Sequence, residues 1–393
     1  MKNLDLVILA GGRGTRIKNL TRNKPKPLIK FGKKSFLQNL INSYAKYNFD
    51  KIYILAGYKG RLIKKKFNNK SVNLTSIKCI VEKRLKGTGG ALNELRNKNI
   101  NNFILTNGDS YCSIDLTKFL EKTKKKLIKM SLVKNLNYKS NNTLNNLNVR
   151  KGRVYFDPKS KYMNAGIYYL NKSNIKFFNK KSFSFENDYL KKMIHNKKVY
   201  GQIFPEQSTD IGTPKNLIRA KKFLPKIFKK NAAFLDRDGV INHDRGYVHN
   251  MNKFRFKKNV IKGLRYLVKK NYYIFIITNQ SGIARNYYSE ESFINFQKNI
   301  NEKLIKKKIF INDVSYCPHH NEGVINKYKI NCKCRKPKTQ MLKNTLIKFE
   351  IDKTNSFFIG DSDSDKKCAE NFGLKFHYSN KDFFKTCLKA VNR

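Results

Sequence analysis

The sequence predicts an α/β protein of two domains, each a mostly parallel sheet flanked by helices. Short apolar runs end repeatedly in small or acidic residues, as buried parallel strands do: LDLVILAGG, KIYILAG, FILTNGD, AAFLDRDG, YYIFIITNQSG and SFFIGDSD. Lysine-rich stretches with helical apolar spacing lie between them, such as SFLQNLINSYAKY and VIKGLRYLVKK. The 393 residues also exceed what one hydrophobic core usually fills. We therefore expect two sheets, each with a ligand site beyond the carboxyl ends of its strands.

The predicted domain boundary lies near residue 230. Residues 1–225 hold the first β/α series and residues 232–393 the second, because a new strand-like opening, AAFLDRDG, begins at residue 232. The segment IRAKKFLPKIFKKN carries one proline and a charge run, so we interpret it as a helix that runs into a linker at 226–231. Residues 118–150 are rich in Lys and Asn and weakly patterned, and no element is assigned to them.

The composition favours a cytoplasmic protein without a membrane segment. The formal charge of +57 comes from lysines spread over nearly every segment, which favours a diffuse solvated surface that attracts anionic substrates. A localised basic and aromatic stripe, as in nucleic-acid-binding proteins, is not evident. No apolar run approaches the roughly 20 residues that span a bilayer, and the N-terminal run lacks a cleavage site. Four of the seven cysteines are scattered without a disulfide framework, which suits a reducing compartment.

The first candidate site lies in LAGGRGTRIKNLTRNKPKPL. Glycines let backbone N–H groups approach phosphate oxygens, and basic side chains add positive charge. The residues with these roles are Gly11, Gly12 and Gly14 for the backbone, and Arg13, Arg16 and Lys26 for the charge. The spacing is neither that of a Rossmann fingerprint nor that of a P-loop.

Five segments in order resemble the sugar-phosphate nucleotidyltransferases: LAGGRGTR with KPKPL, GTGGAL at 87–92, NGDS at 107–110, NAGIYYL at 164–170 and DIGTP at 210–214. The likeness covers about the first 220 residues, and NGDSY and SFEND make it most similar to the heptose 1-phosphate guanylyltransferases. It implies a Rossmann-like domain in which a sugar 1-phosphate oxygen attacks the α-phosphorus of GTP and expels pyrophosphate.

The same resemblance implies roles for single residues. Arg16, Lys26 and a Mg²⁺ ion held by Asp109 and Asp210 would surround the triphosphate. The other implied contacts are Gly11, Gly12, Gly87 and Gly89 with the nucleotide, and Asn164 and Glu186 with the sugar hydroxyls. Relatives carry Glu-Lys before the Asn-Ala-Gly segment, where this chain has FDPKSKYMNAG. Which lysine contacts the sugar phosphate therefore stays open, with Lys159 as one option.

The second candidate site begins with Asp236 and Asp238, two residues apart directly after a predicted strand. One carboxylate of such a pair can attack while the other handles protons, although an isolated pair is more often a turn or a metal contact. The later segments IITNQSG, CRKP and IGDSDSD follow in an order that resembles the haloacid dehalogenase superfamily.

This second resemblance covers residues 232 to about 378 and is most similar to heptose 1,7-bisphosphate phosphatases, with zinc-bearing histidinol phosphatases next. It implies a Rossmannoid domain in which Asp236 takes the phosphoryl group, while Asp238 protonates the leaving alkoxide and then activates water. The other implied roles are Mg²⁺ binding by Asp236, Asp361 and the Asp238 carbonyl oxygen, a phosphate cradle of Lys336 and Thr278, and substrate contacts of Asn279 and Arg335. Relatives often have a basic residue where this chain has Ser362. Either Lys336 carries that charge alone or a distant lysine compensates.

The segment YCPHHNEGVINKYKINCKCRKP gathers thiols and imidazoles as metal sites do. Cys317, His319, Cys332 and Cys334 form a Cys₃His set, and four protein ligands close a tetrahedral Zn²⁺ site of the structural kind. His320 is an alternative to His319 that the sequence does not exclude. Because the loop leads into Lys336, a structural zinc is expected to orient the phosphatase site.

The two resemblances name consecutive steps, since removal of the 7-phosphate leaves the heptose 1-phosphate that a guanylyltransferase activates. We therefore expect a bifunctional enzyme of GDP-heptose synthesis that uses heptose phosphates, GTP, Mg²⁺ in both sites and one structural Zn²⁺. A hexose 1-phosphate nucleotidyltransferase fused to a histidinol-phosphate phosphatase is one alternative. The other is a nucleic-acid 3′-phosphatase, against which the absence of a GxxxxGK[ST] kinase loop counts.

Overall fold

The computed structural model describes residues 3–21, 24–121, 123, 128–135, 144–176, 178 and 181–392. Its strands form two large sheets and two small ribbons. The strands of the first part of the chain are β1 (Leu4–Leu9), β2 (Lys30–Phe31), β3 (Lys34–Ser35), β4 (Lys51–Ala56), β5 (Ser71–Val72), β6 (Thr75–Val81), β7 (Asn102–Asn107), β8 (Ser110–Cys112), β9 (Ile128–Lys134), β10 (Asn145–Arg150), β11 (Arg153–Phe156), β12 (Tyr162–Asn171), β13 (Val199–Phe204) and β14 (Ser208–Asp210). The strands of the second part are β15 (Lys230–Leu235), β16 (Tyr273–Asn279), β17 (Asp313–Cys317), β18 (Ile351–Gly360) and β19 (Lys375–Tyr378).

The helices lie between these strands. They are α1 (Lys18–Thr21), α2 (Phe36–Ala45), α3 (Gly60–Phe67), α4 (Gly87–Leu92), α5 (Leu116–Leu120), α6 (Lys172–Lys176), α7 (Lys191–His195), α8 (Pro214–Phe228), α9 (Val260–Lys269), α10 (Glu290–Ile305), α11 (Gln340–Lys348), α12 (Asp363–Phe372) and α13 (Phe383–Val391). Short 3-10 turns occur at Thr15–Ile17, Lys26–Leu28, Asn93–Leu95 and Asn326–Tyr328, and a π-helical turn at Phe185–Leu190. Within the described residues, no helix is long and apolar enough to cross a membrane.

The first sheet has ten strands in the order β10-β11-β13-β9-β12-β7-β1-β4-β6-β5. Its β7, β1, β4 and β6 pair in parallel and include the three strands predicted from LDLVILAGG, KIYILAG and FILTNGD. All six residues of β1 are buried, as expected for a strand covered on both faces. Beyond β7 the sheet becomes mixed, because β12 runs antiparallel to both β7 and β9. This edge includes β9 and β10, from the weakly patterned segment to which the sequence assigned no element.

The second sheet has five strands in the order β17-β16-β15-β18-β19, and every pairing is parallel. The strands predicted from AAFLDRDG, YYIFIITNQSG and SFFIGDSD are β15, β16 and β18, its three central members. Their carboxyl ends meet at one edge of the sheet, which brings the polar residues that follow them together. Helix α9 agrees with the helix predicted from VIKGLRYLVKK and packs against α13 on one face.

Helix α8 connects the two sheets. The side chain of Thr213 caps its first turn by accepting a hydrogen bond from the Asn216 N–H at 3.2 Å. The helix ends at Phe228, and β15 begins at Lys230, where it already pairs with β18. The segment 226–231, interpreted from the sequence as a linker, thus consists mainly of the last helical turn and the first strand residues.

Candidate active sites

A cavity of about 710 Å³ opens beyond the carboxyl ends of β1 and β7. It lies where ligands bind in open α/β sheets, and predicted site residues from distant parts of the sequence converge on it. The predicted residues in its lining are Gly11, Gly12, Arg13, Arg16, Lys26, Gly87, Asp109, Asn164, Glu186 and Asp210. The structure therefore assembles one site from six segments of the first part of the chain.

Charged groups of both signs meet at one end of this cavity. The Lys26 ammonium lies 2.9 Å from Oδ2 of Asp109. Asp210 comes next to Asp109 because β14 pairs with β8. A Cβ atom on Gly212 would lie 3.1 Å from Oδ1 of Asp210, 3.6 Å from the Lys26 ammonium and 3.8 Å from the Arg16 guanidinium. Two carboxylates that suit a divalent cation thus stand beside two cations that suit phosphate.

Another part of the cavity centres on Glu186. Its Oε1 accepts hydrogen bonds from the Tyr168 hydroxyl at 2.6 Å and from the Asn164 and Asn107 amides at 3.2 Å each. These three donors fix the carboxylate and leave its second oxygen for a ligand hydroxyl. Burial raises the pKa of Tyr168 well above its ordinary range, so the phenol stays a donor. Asn164, expected to contact the sugar, also orients Glu186.

Two glycines that the sequence predicted for the nucleotide site are not among the residues that line the cavity, but they contact side chains next to it. Gly14 has a φ of +67°, and a Cβ atom there would lie 2.9 Å from Cγ of Lys26. A Cβ atom on Gly89 would lie 2.1 Å from the ring of Phe183. Both positions need glycine because a neighbouring side chain fills the space, and Gly14 thereby lets Lys26 lie close to the loop.

Glu82 lines the cavity and was missed by the sequence reasoning, because VEKRLKG reads as an ordinary charged loop. Its side chain is mostly buried, and burial raises the pKa of the carboxyl group. A Cβ atom on Gly11 or Gly57 would lie 2.9 or 2.7 Å from its Oε2. Two glycines thus give the backbone room beside this acid, whose Oε1 accepts a hydrogen bond from the Lys86 N–H at 3.3 Å.

In the second sheet, Asp236 follows β15 and meets Lys336. The ammonium lies 2.9 Å from Oδ1 of Asp236 and 2.5 Å from Oδ1 of Asp365, and it donates to the Ile277 carbonyl at 3.0 Å. Burial alone lowers the pKa of Lys336, but the two carboxylates outweigh it and raise that pKa above the ordinary value. Burial also raises the pKa of Asp236, which Lys336 opposes. Lys336 is therefore a permanent cation beside the candidate nucleophile.

Asp238 is oriented by three neighbours. The Arg237 guanidinium donates to its Oδ2 at 2.7 Å, the Asn242 amide to Oδ1 at 2.9 Å and the Gln280 amide to Oδ2 at 3.0 Å. Gln280 also donates to the Thr278 hydroxyl at 2.9 Å, which leaves the hydroxyl hydrogen of Thr278 for an acceptor such as phosphate. Arg237, Asn242 and Gln280 were not singled out from the sequence.

Three carboxylates form an acidic cluster at this edge: Asp236, Asp361 and Asp365 each have an oxygen within 4.8 Å of the others. Asp365 was missed, although it follows Asp361 by four residues in the same motif. Its Oδ2 accepts the Ser362 hydroxyl at 2.7 Å, and Ser362 in turn caps α12. Ser362 thus has a structural role at the position where relatives often carry a basic residue.

Lys257 lies near Asp361 and was not singled out from the sequence. Its ammonium donates to the Gly239 carbonyl at 2.5 Å and to the Ser379 hydroxyl at 3.3 Å. Gly239 abuts Asp361 so closely that a Cβ atom there would lie 1.6 Å from the carboxylate. Burial lowers the pKa of Lys257 below its ordinary value, and the negative charge of Asp361 offsets part of this effect.

The predicted metal-binding cluster is also assembled. The Sγ atoms of Cys317, Cys332 and Cys334 lie 3.1 to 3.4 Å apart, and Nδ1 of His319 lies 3.2 Å from Cys334 and 3.6 Å from Cys317. A zinc–sulfur bond of about 2.3 Å implies edges of about 3.8 Å in a tetrahedron, so these atoms can hold such an ion after slight expansion. His320 instead accepts a hydrogen bond from the Glu322 N–H at 3.1 Å.

The cluster is connected to the Asp236 site through two neighbouring residues. The Arg335 N–H donates to Sγ of Cys332 at 3.4 Å. Asn279 accepts from the Lys336 N–H at 3.0 Å and donates to the Lys336 carbonyl at 3.3 Å. Asn279, predicted to bind substrate, thus clamps the backbone of the buried lysine.

Two family models match the chain. A nucleotidyl transferase family matches residues 6–144, and a family described as polynucleotide kinase 3 phosphatase matches residues 231–384. The crystal structure of HddC from Yersinia pseudotuberculosis covers 56% of this chain and 99% of its own, at 28% identity and a TM-score of 0.47.

Curated relatives match the second part of the chain. A D-glycero-beta-D-manno-heptose-1,7-bisphosphate 7-phosphatase from Haemophilus influenzae is 44% identical over 146 residues, 37% of this chain and 79% of the relative. A D-glycero-alpha-D-manno-heptose-1,7-bisphosphate 7-phosphatase from Campylobacter jejuni is 43% identical over 143 residues, 36% of this chain and 78% of the relative. The chain is thus an enzyme that joins a nucleotidyl transferase domain to a phosphatase domain, and through the second domain it belongs to the family of the heptose-1,7-bisphosphate 7-phosphatases.

Proposed function

We propose that this chain removes the 7-phosphate of D-glycero-D-manno-heptose 1,7-bisphosphate and then transfers a guanylyl group from GTP to the resulting heptose 1-phosphate. The observation that carries the proposal is the Asp236, Asp238 and Lys336 constellation in a domain 44% identical to a heptose bisphosphate phosphatase. A nucleotidyl transferase cavity on the same chain supplies the next step. We assign the two activities to residues 1–225 and 232–393. The free cysteines suit a cytoplasmic enzyme.

In the phosphatase reaction, a carboxylate oxygen of Asp236 attacks the phosphorus. The new P–O bond gives an aspartyl phosphate, while the bond from phosphorus to the C7 oxygen breaks and Asp238 protonates the leaving alkoxide. Asp238 then takes a proton from water, whose oxygen attacks phosphorus and releases phosphate from Asp236. Lys336 and the Thr278 hydroxyl stabilise the charge on the transferring group.

In nucleotidyl transfer, a phosphate oxygen of heptose 1-phosphate attacks the α-phosphorus of GTP. The bond from the α-phosphorus to the bridging oxygen breaks, and pyrophosphate leaves with that electron pair. Arg16 and Lys26 lie at the charged end of the cavity, where they stabilise the triphosphate. Glu186, held by three donors, accepts a hydrogen bond from a sugar hydroxyl.

The residues present fit the metals that both reactions use. Oxygen ligands for Mg²⁺ are offered by Asp109 and Asp210 in one site, and by Asp236 and Asp361 with the Asp238 carbonyl oxygen in the other. Asp365 contributes less, because Lys336 and the cap of α12 occupy its oxygens. Mg²⁺ supplies charge neutralisation for phosphoryl groups when bound. The Cys₃His cluster fits a closed, structural Zn²⁺ site.

Glu82 supports guanine as the base. Guanine presents two adjacent donors, N1–H and the N2 amino group, which one carboxylate can accept together. Thymine and uracil offer a single N–H between two carbonyl oxygens, and a buried carboxylate repels those oxygens. Glu82 lies mostly buried in the wall of the cavity, where such a contact is desolvated and discriminating.

The direct test supplies the purified protein with heptose 1,7-bisphosphate, GTP and Mg²⁺, and follows phosphate, pyrophosphate and the nucleotide sugar by mass spectrometry. We expect phosphate first and then pyrophosphate in equal amount. Asp236→Asn should abolish phosphate release yet transfer guanylyl groups to supplied heptose 1-phosphate. Absence of pyrophosphate with all common triphosphates would refute the first activity. Faster turnover of histidinol phosphate or of a DNA 3′-phosphate would refute the second.

A further inference from the structure

A buried polar junction joins the two halves of the chain at Asn73. This residue lies between β5 and β6 with a φ of 48° and is fully buried. Its backbone N–H donates to Oδ1 of Asp313 at 2.6 Å. Its side-chain amide donates to the carbonyls of Ala45 at 3.0 Å and Ile311 at 3.1 Å. The Lys348 ammonium lies 2.9 Å from Oδ2 of Asp313. One asparagine therefore satisfies buried groups of both domains, which would lose these partners if the domains parted.

Further contacts surround the junction. Lys34 donates to the Leu346 carbonyl at 2.6 Å, and Asn42 donates to the Lys348 carbonyl at 2.9 Å. The rings of Tyr47 and Phe310 meet edge to face, 5.1 Å between centroids. One apolar cluster is continuous across the boundary, from α2 in the first domain to β16 and α11 in the second. This mixture of a shared apolar core and satisfied buried polar groups is typical of permanent interfaces.

The covalent connection is equally stiff. Only Lys229 separates α8 from β15, and the Tyr273 hydroxyl donates to the Phe228 carbonyl at 2.8 Å. Asp210 precedes this helix and Asp236 follows this strand, so regular structure links the two candidate sites.

We propose that the surface formed by α2, residues 46–49 and Asn73 is a permanent docking site for this chain's own phosphatase domain. Its partner surface comprises the end of α10, residues 310–313 and the end of α11. The two enzymes then form one cooperative folding unit with a fixed mutual orientation, and Asn73 is its central polar link. A ligand that stabilises one domain stabilises the other by the same linkage.

Calorimetry of the full chain tests this. We expect one unfolding transition for the wild-type protein, because neither domain can unfold without exposing the shared core. Asn73→Asp places a second carboxylate beside Asp313 and should split the transition or lower its midpoint by at least several degrees. Asn69→Asp is the matched control, since Asn69 has a similar φ of 60° but is exposed, and it should leave the transition unchanged.

A second measurement needs no variant. The backbone N–H of Asn73 should exchange with deuterium as slowly as the backbone N–H groups of β1, because solvent reaches its hydrogen bond only when the domains separate. Two separate transitions in the wild-type protein would overturn the proposal. So would an Asn73 amide that exchanges as fast as exposed turns, or an Asn73→Asp protein that unfolds like Asn69→Asp.

Discussion

The ammonium of Lys336 lies 2.9 Å from Oδ1 of Asp236, and both side chains are nearly excluded from solvent. The lysine also contacts Asp365 at 2.5 Å, so one buried cation serves two carboxylates. A phosphoryl group that approaches Asp236 meets this cation without having to reorganise it. Such preorganised charge is among the largest contributions to catalysis.

Lys336→Met should lower phosphatase kcat by about 100- to 1000-fold, because the negative charge on the transferring phosphoryl group loses its fixed partner. Phosphate release from the bisphosphate measures this loss. Guanylyl transfer from supplied heptose 1-phosphate should remain, since the lysine lies in the other domain. Lys343→Met, on the exposed face of α11, is the control and should behave as wild type. Loss of both activities in Lys336→Met would point to misfolding instead.

Lys257→Met should raise KM for the phosphate ester about tenfold, equivalent to about 1.4 kcal/mol, because a cation near Asp361 attracts the substrate anion. The Mg²⁺ concentration for half-maximal activity should not rise, since a nearby lysine repels the metal ion. Steady-state kinetics at several Mg²⁺ concentrations separate the two effects. The exposed neighbour Lys258→Met provides the control. If the Mg²⁺ concentration for half-maximal activity fell while KM stayed unchanged, a role of Lys257 in substrate attraction would be contradicted.

Much of the fold and of both sites could be predicted because parallel strands carry their chemistry at their carboxyl ends. Asp109, Asp236 and Asp361 each follow a continuous apolar run, and the structure places each of them at a strand end. The mixed edge of the first sheet was not predictable, since β9 and β10 lie in a Lys- and Asn-rich segment without clear alternation. Glu82 and Lys257 were missed for a different reason. Both lie beside glycine backbones through tertiary contacts, which no local sequence pattern records.

Glu82→Gln should lower kcat/KM for GTP by about 10- to 100-fold, because one of two guanine hydrogen bonds is lost. Activity with UTP or TTP should rise, since an amide can pair with both the N–H and a carbonyl of those bases. Pyrophosphate release with each triphosphate measures the shift. Glu94→Gln is the matched control, because Glu94 pairs with Lys86 at 2.8 Å and is not among the cavity-lining residues. Equal losses with every triphosphate would exclude base selection by Glu82.

Asp5→Asn should stabilise the protein at neutral pH. Burial, followed by the charge of Asp50, raises the pKa of Asp5 from 3.8 to about 6, so the folded state binds the proton more tightly than the unfolded state. The stabilisation of the folded state by protonated Asp5 is therefore fully present below pH 3.8 and is lost as the pH rises through 6. Asparagine mimics that neutral form and can still accept the Lys51 N–H.

The expected gain at pH 7.5 is at most about 3 kcal/mol, since each pKa unit corresponds to about 1.4 kcal/mol. Thermal unfolding of both proteins at pH 7.5 and at pH 4 measures it, and the difference should nearly vanish at the lower pH. Asp244→Asn, at an exposed position, should show no such pH dependence. A gain that is equal at both pH values would mean that titration of Asp5 is not its cause.

The thiol and imidazole cluster makes the last prediction, which concerns zinc. Three sulfur atoms within 3.4 Å of one another next to Nδ1 of His319 should bind about one Zn²⁺ per chain, measured by atomic emission. His319→Asn should lose the ion and His320→Asn should keep it, because only the first imidazole reaches the sulfurs. Zinc loss should lower phosphatase turnover, because the N–H of Arg335, the residue that precedes Lys336, is hydrogen-bonded to Sγ of Cys332. Guanylyl transfer should continue. A zinc-free protein with full phosphatase activity would show that the cluster does not position Lys336.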